Sequence, residues 1–277
     1  MLYSALQKAI IALFSSFTEF FCVSSFPHLM LYEVLTGTSQ TDPMLSLVIH
    51  LGALLAVITA CKKRIVYLIR ADRQERNTRR RKNRHLDMSA ILEIKMLKTA
   101  MIPILISVFF YRRAAAWVDG VAALSLTLLL NGVILFLPRI LPQGNKDSRM
   151  MSPLDSFVVG LGGALALIPG VSRMGGLITG CMARGTDQSH ALEYSLLLSV
   201  PVLFVLLCFD IYAVICAKLT ITFVWLMIWL AAGLIAFGSA YLAILFMRFL
   251  SMRSGFHQFC YYSWGMALFS FVLYLLI

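Results

Sequence analysis

The chain has 277 residues, 60% of them hydrophobic and only 13% charged, whereas soluble domains run near roughly 45–50% apolar and about 25% charged. With a mean hydropathy of +0.84, that composition excludes a disordered or fibrous chain and an ordinary soluble domain. The net charge of +11 leaves two readings: a basic protein that seeks polyanions, or a membrane protein whose basic residues mark its cytoplasmic side.

Residues 1–35 are apolar but interrupted by Gln7, Lys8, Glu19, Pro27, His28 and Glu33. A broken segment at membrane depth is tolerated where protein or a wet cavity covers it, so a re-entrant hairpin is predicted here. Spans of about 20 apolar residues are predicted at 44–61, 91–111, 121–141, 191–217, 221–247 and 258–277. Glu93, Lys95 and Lys98 crowd the first turns of the second span and are expected at the interface or against protein.

Between Lys62 and Arg84 lie eleven basic residues and two acids, so the rest of the chain is nearly neutral. The stretch has no interleaved aromatics beyond Tyr67, which argues against nucleic acid; 62–90 reads as a basic cytoplasmic loop. A second hairpin is predicted at 154–185, where glycines, Pro169 and Arg173 interrupt apolar sequence.

The expected architecture is an all-α polytopic membrane protein in one integral membrane domain. It has six transmembrane helices plus two re-entrant helical hairpins in an inverted-topology repeat. Repeat 1 is 1–141 and repeat 2 is 154–277, and both termini lie outside if the basic loop is cytoplasmic. An odd number of crossings per half inverts the second half, so the hairpin tips are expected to meet near the bilayer midplane. The six cysteines lack C-x-x-C spacing and read as soft hydrophobes.

Ionisable groups inside such segments are costly and mark function. The second hairpin places Arg173 after the Pro169-Gly170 break and before Gly175-Gly176. Glycines there let backbone approach a ligand, a helix start frees amide N–H groups, and the guanidinium fork matches phosphate oxygens. The first hairpin offers Glu19, Ser24, Ser25 and His28 within ten residues. Glu or His there suits a base, and Ser or His a nucleophile towards phosphorus. Together these residues describe a phosphate site inside a membrane, hence an amphiphilic phosphate ester as ligand.

Thr18-Glu19-Phe20, Val23-Ser24-Ser25 and His28, followed by Ala166-Leu167-Ile168-Pro169-Gly170-Val171-Ser172-Arg173, resemble the undecaprenyl-diphosphate phosphatases, also called the bacitracin-resistance family. Further matches in order are His50-Leu51-Gly52-Ala53, Leu154-Asp155-Ser156-Phe157 and Tyr194-Ser195-Leu196-Leu197. The resemblance implies an inverted repeat with two re-entrant hairpins in a bacterial inner membrane. It also implies conversion of undecaprenyl diphosphate, a polyprenyl diphosphate lipid, to its monophosphate for reuse in wall synthesis.

By that resemblance Glu19 is the motif carboxylate, as base or metal ligand, and Ser25 or His28 is nucleophile or acid/base partner. Ser24, Ser25, Gly170, Ser172, Arg173 and Gly175 hold the diphosphate, with Arg173 also stabilising the transferred phosphoryl group, and Mg²⁺ or Ca²⁺ is the implied cofactor. The chain departs from the family pattern at Ser15, where an acid precedes Glu19 by four residues, at Phe26-Pro27 for Thr-Gly, at Met174, and at His50 for Gln. The other reading is a catalytically impaired polyprenyl-phosphate binding protein or flippase, which needs the arginine and the phosphate cradle but no nucleophile.

Overall fold

The computed structural model describes residues 2–37, 42–78, 87–116, 118, 120–142, 144–147, 150–218, 222–252 and 255–276. Among them the chain forms ten α-helices and no strand. In order they are α1 (Leu2–Phe20), α2 (Ser25–Thr36), α3 (Pro43–Thr78), α4 (Met88–Ala115), α5 (Gly120–Ile140), α6 (Pro153–Ala164), α7 (Arg173–Ala183), α8 (Gln188–Ala217), α9 (Phe223–Ser251) and α10 (Phe259–Leu276).

Five helical segments among the described residues are long and apolar enough to cross a membrane: α3, α5, α8, α9 and the Phe256–Leu276 segment ending in α10. This makes the chain a polytopic membrane protein. Large apolar side chains face outwards along these helices, for example Leu126 at 67%, Leu234 at 74% and Leu268 at 65% exposure. Such surface is stable only against lipid or another protein. The predicted span at 91–111 lies within α4, which is not one of the five. Its acid Glu93 is buried and paired with Arg64 of α3, and Lys98 sits 3.6 Å from Asp72.

The basic stretch departs from a simple loop. α3 continues without interruption from its apolar part through Lys62, Arg64, Arg70 and Arg76 to Thr78, because Lys and Arg are good helix formers. Its 36 residues span about 54 Å at about 1.5 Å each, well beyond an apolar layer of about 30 Å. The rest of the expected loop, with Arg79, Arg80, Arg81, Lys82 and Arg84, lies outside the described residues. α4 then starts on Asp87, whose side chain accepts from the Ser89 and Ala90 amides. The Ser89 hydroxyl, the Tyr67 hydroxyl and the Ala90 amide hold the Asp87 carboxyl down at about 2.

The helices pack in an exchanged pattern. α1 lies against α9 and α6 against α4, while α3 pairs with α8 and α5 with α10. Small residues permit the closest approaches: a Cβ on Gly52 of α3 would come within 2.8 Å of the Gly233 carbonyl of α9. One on Gly160 of α6 would come within 2.2 Å of the Ala100 carbonyl of α4. The main core runs from Phe20 and Cys22 through Ile104 and Leu135 to Tyr194 and Leu198, on both halves of the chain. The six cysteines are free, four of them buried in apolar surroundings and Cys208 and Cys216 exposed.

Candidate active site

Both broken segments turn where the sequence breaks. α1 places Glu19 in its last turn, the chain opens over residues 21–24, and α2 restarts at Ser25 with Ser24 extended as its N-cap. Pro27 falls in the first turn of α2, where an amide has no helical acceptor to lose. In the second segment α6 ends, a 3₁₀ turn follows at Leu165–Leu167, and α7 begins at Arg173. Gly170 carries the break with φ +104° against the Thr127 side chain, where a Cβ would come within 2.1 Å of Oγ1; conformation and space both demand glycine.

The two breaks meet. Arg173 donates through Nη2 to Glu19 Oε1, joining the hairpins across the chain. Around this pair lies a cavity of about 290 Å³. From the first hairpin Ser15, Thr18, Glu19, Ser24 and Ser25 line it, and from the second Ser172 and Arg173. α3 adds Ser46 and His50, and α4 adds Ser107, while Phe26, Leu29, Ile49, Ile104 and Leu206 make the remaining wall apolar. α2 and α7 both begin at this cavity, so two helix N-termini border one place, an arrangement that favours anions.

Hydrogen bonding separates the reactive groups from the structural ones. Ser25 Oγ is 2.8 Å from Thr18 Oγ1 and donates to the Ser15 carbonyl at 3.2 Å. Arg173 Nε and the Ser15 hydroxyl are buried with no hydrogen-bond partner among the described residues, so both keep capacity for a ligand. Ser172, by contrast, is committed. Its hydroxyl donates to the Phe21 carbonyl at 3.2 Å and accepts from the Gly175 amide at 3.2 Å. Its own amide donates to Asn131 Oδ1 at 2.8 Å. Ser172 therefore caps α7 and clamps one hairpin to the other.

Of the residues expected around the diphosphate, Ser24, Ser25, Ser172 and Arg173 line the cavity, and Gly170 and Gly175 do not. Gly175 lies behind the wall, where a Cβ would meet Leu135 at 2.7 Å. His28 also lies off the cavity. Its Nδ1 reaches back 2.8 Å to the carbonyl of Ser24, four residues earlier, and Nε2 sits 2.5 Å from the Tyr262 hydroxyl of α10. With both nitrogens engaged, His28 ties α2 to α10 and has no free position for phosphorus chemistry in this arrangement. Met174, one of the departures from the family pattern, is fully buried against Ser199 and does not line the cavity.

Two residues escaped the sequence reading in these roles. Asn131, fully buried on α5, accepts from the Ser172 amide and donates to Ser263 of α10; a lone amide in an apolar helix was its only signal. Asp210 of α8 accepts from His50 Nδ1 at 2.5 Å. Its signal was a lone acid in the apolar run from Leu196 to Ala217.

A divalent cation fits part of this set. Glu19 is the one carboxylate lining the cavity, flanked by Ser15, Thr18 and Ser25 hydroxyls, all hard oxygen donors of the kind Mg²⁺ and Ca²⁺ take. The described residues hold no cluster of three His, Cys, Asp or Glu that could hold a metal. Glu19 is therefore the residue that would hold such an ion, with the flanking hydroxyls as further oxygen donors.

The family model described as bacitracin resistance protein BacA matches residues 8–269, from within α1 to within α10. An undecaprenyl-diphosphatase of Halothermothrix orenii is 27% identical over 247 residues, covering 89% of each chain. Undecaprenyl-diphosphatase 1 of Bacillus cereus is 33% identical over 201 residues, 72% of this chain and 73% of the relative. Undecaprenyl-diphosphatase 1 of Shouchella clausii is 31% identical over 201 residues, 72% of each. Both helix breaks and their shared cavity lie inside the matched region, and the chain belongs to the BacA bacitracin-resistance family.

Proposed function

We propose that the chain hydrolyses undecaprenyl diphosphate to undecaprenyl phosphate and inorganic phosphate, returning the lipid carrier to cell-wall synthesis. The observation that carries the reading is the Glu19–Arg173 pair, which brings a carboxylate and a guanidinium into one cavity beside two helix N-termini; a base and a phosphate-binding cation are the roles this supports. The family and its undecaprenyl-diphosphatase members support the same activity.

In this mechanism Arg173 exchanges its bond with Glu19 for the diphosphate oxygens, using the Nε donor that is otherwise unspent. Glu19, released, takes the proton of Ser25 as its Oγ attacks the terminal phosphorus. The bond from that phosphorus to the bridging oxygen breaks, and its electron pair leaves with undecaprenyl phosphate. Glu19 gives that proton to the leaving oxygen and, as carboxylate again, takes a proton from the water that attacks the phosphoseryl phosphorus. The P–Oγ bond breaks, the proton passes to Ser25 Oγ, and inorganic phosphate departs. The α2 and α7 amides and Arg173 stabilise charge on the transferred group. Glu19 would also be the protein ligand of a Mg²⁺ or Ca²⁺ shared with the substrate, and that ion supplies charge neutralisation on the diphosphate.

The two broken segments act in this reading as re-entrant hairpins of an inverted repeat, with α1–α5 matched to α6–α10 and α4 and α9 as equivalent spans. Support comes from the exchanged packing, in which each first helix (α1, α6) lies against the other half's fourth (α9, α4). The basic end of α3 supports a cytoplasmic position for that side by the positive-inside rule, which would leave both termini outside.

Phosphate release from undecaprenyl diphosphate, measured on the purified chain in detergent with Mg²⁺, Ca²⁺ or chelator, tests the reading. Release well above an Arg173→Ala control is expected. No release under any condition overturns the phosphatase assignment, and lipid binding retained in those samples would mark a carrier or flippase instead.

A further inference from the structure

A second ionisable pair faces the cavity, and the mechanism above does not use it. His50 of α3 lines the wall, and its Nδ1 donates to Asp210 Oδ2 of α8 at 2.5 Å. Both side chains are mostly covered, at 25% and 17% exposure, within helices that read as membrane spans. Ionisable groups within membrane segments are costly and mark function, so a role beyond filling space is expected of Asp210.

Charge balance suggests that role. Among the described residues Arg173 is the only Lys or Arg lining the cavity, and Glu19 already neutralises it. A diphosphate brings several further negative charges into a largely apolar enclosure, where uncompensated charge is strongly unfavourable. Among the described residues lining the cavity His50 is the one imidazole, the side-chain type that takes up a proton to become a cation. With Nδ1–H committed to Asp210, the ring reaches a phosphate oxygen as a donor only through Nε2–H, which means as imidazolium.

We propose that His50, oriented by Asp210, binds the diphosphate as the imidazolium, so that lipid diphosphate and one proton enter the cavity together. This inference rests on the cavity being the diphosphate site. The groups around His50 are Asp210 from α8, Glu19 from α1 and Arg173 from α7 across the cavity. Tyr32 of α2 packs against the apolar cluster that holds Leu45 and Ile49 of α3 with residues of α1 and α9. Lys8 of α1 is paired with Asp42 before α3 begins. α4 brings only Ile104, Ser107 and Val108 to the cavity wall, and α9 meets α3 here through Gly233 and Ala236. The Arg248 guanidinium of α9 lies farther along α3, at the Ala60 carbonyl.

The test is the affinity of a methylene-bridged, non-hydrolysable undecaprenyl diphosphate analogue for the purified full chain between about pH 5.5 and about pH 8.5, bracketing imidazole titration. Wild type, His50→Gln and Asp210→Asn are compared, together with wild-type turnover. The ligand's own titration is common to all three. The expected result is a gain in affinity on acidification about tenfold larger in wild type than in H50Q, equivalent to one pH unit of linkage. D210N should show a reduced gain, and it carries the comparison should H50Q not fold. Equal pH slopes in wild type and the variants overturn the inference, even if the variants melt earlier, because the pair is then only a structural tie. If wild type turns over substrate and the slopes are equal, the phosphatase reading stands without it; if wild type neither binds nor hydrolyses, both fall.

Discussion

The two hairpins that meet at the cavity are held in different ways. In the second, every residue of α7 from Met174 to Cys181 is buried. α6 is capped by a Ser152–Asp155 box, and Arg184 and Lys146 converge on the Asp155 carboxylate at 2.5 and 3.5 Å. α6 and α7 touch backbone to backbone, so that a Cβ on Gly176 would fall 2.1 Å from the Gly162 carbonyl oxygen. In the first hairpin α2 buries only Pro27 and Leu31, Ser24 makes no side-chain cap bond, and the Ser15 and Ser16 hydroxyls are buried without partners among the described residues. The second hairpin is thus a rigid mount for Arg173. The first carries hydroxyls with unspent hydrogen-bond capacity, which is what a reactive face needs.

Substitutions that separate activity from stability sharpen this contrast. The largest expected effect is Ser25→Ala: turnover lost by at least about 10³-fold, as for removal of a nucleophile, with the thermal midpoint unchanged. A fall in the midpoint matching the loss of activity would make Ser25 a structural residue. Next is Gly176→Ala, which forces a methyl into a neighbouring carbonyl and should cost about 1–3 kcal/mol as overpacking does, read as a lower thermal midpoint. An unshifted midpoint would show that the second hairpin is not the rigid one. The smallest is Ser15→Glu, which restores a carboxylate four residues before Glu19 on the same face of α1. Cation preference should shift, and the apparent affinity for Mg²⁺ or Ca²⁺ should rise, about 10-fold for one added hard anionic ligand. An unchanged cation response would mean that Ser15 does not face the ion.

Much of this arrangement was legible in the residues. The Pro-Gly and Ser-Ser breaks marked both hairpins, and the rarity of ionisable groups in apolar sequence singled out Glu19 and Arg173. Other features depended on geometry that no linear pattern holds. His28 is turned to its own i−4 carbonyl and to Tyr262, a choice set by how α10 passes α2. The pairing of His50 with Asp210 needs the relative rotation of α3 and α8, although a lone acid in a span was itself a signal. Asn131 looked like one more polar residue until its amide was found holding Ser172. The basic stretch looked like a loop because charge was read as solvent exposure, whereas Lys and Arg continue a helix well.

The central claim is that Glu19 and Arg173, from different hairpins, act as one unit on the diphosphate. Its most direct test is a double-mutant cycle on phosphate release, with Glu19→Gln, Arg173→Gln and the double variant at equal folded concentration. Each single change should lower turnover by about 10²–10³-fold, and the double should lose little more than the worse single, as residues acting together do. Losses that multiply, or near-native turnover in either single variant, would contradict it.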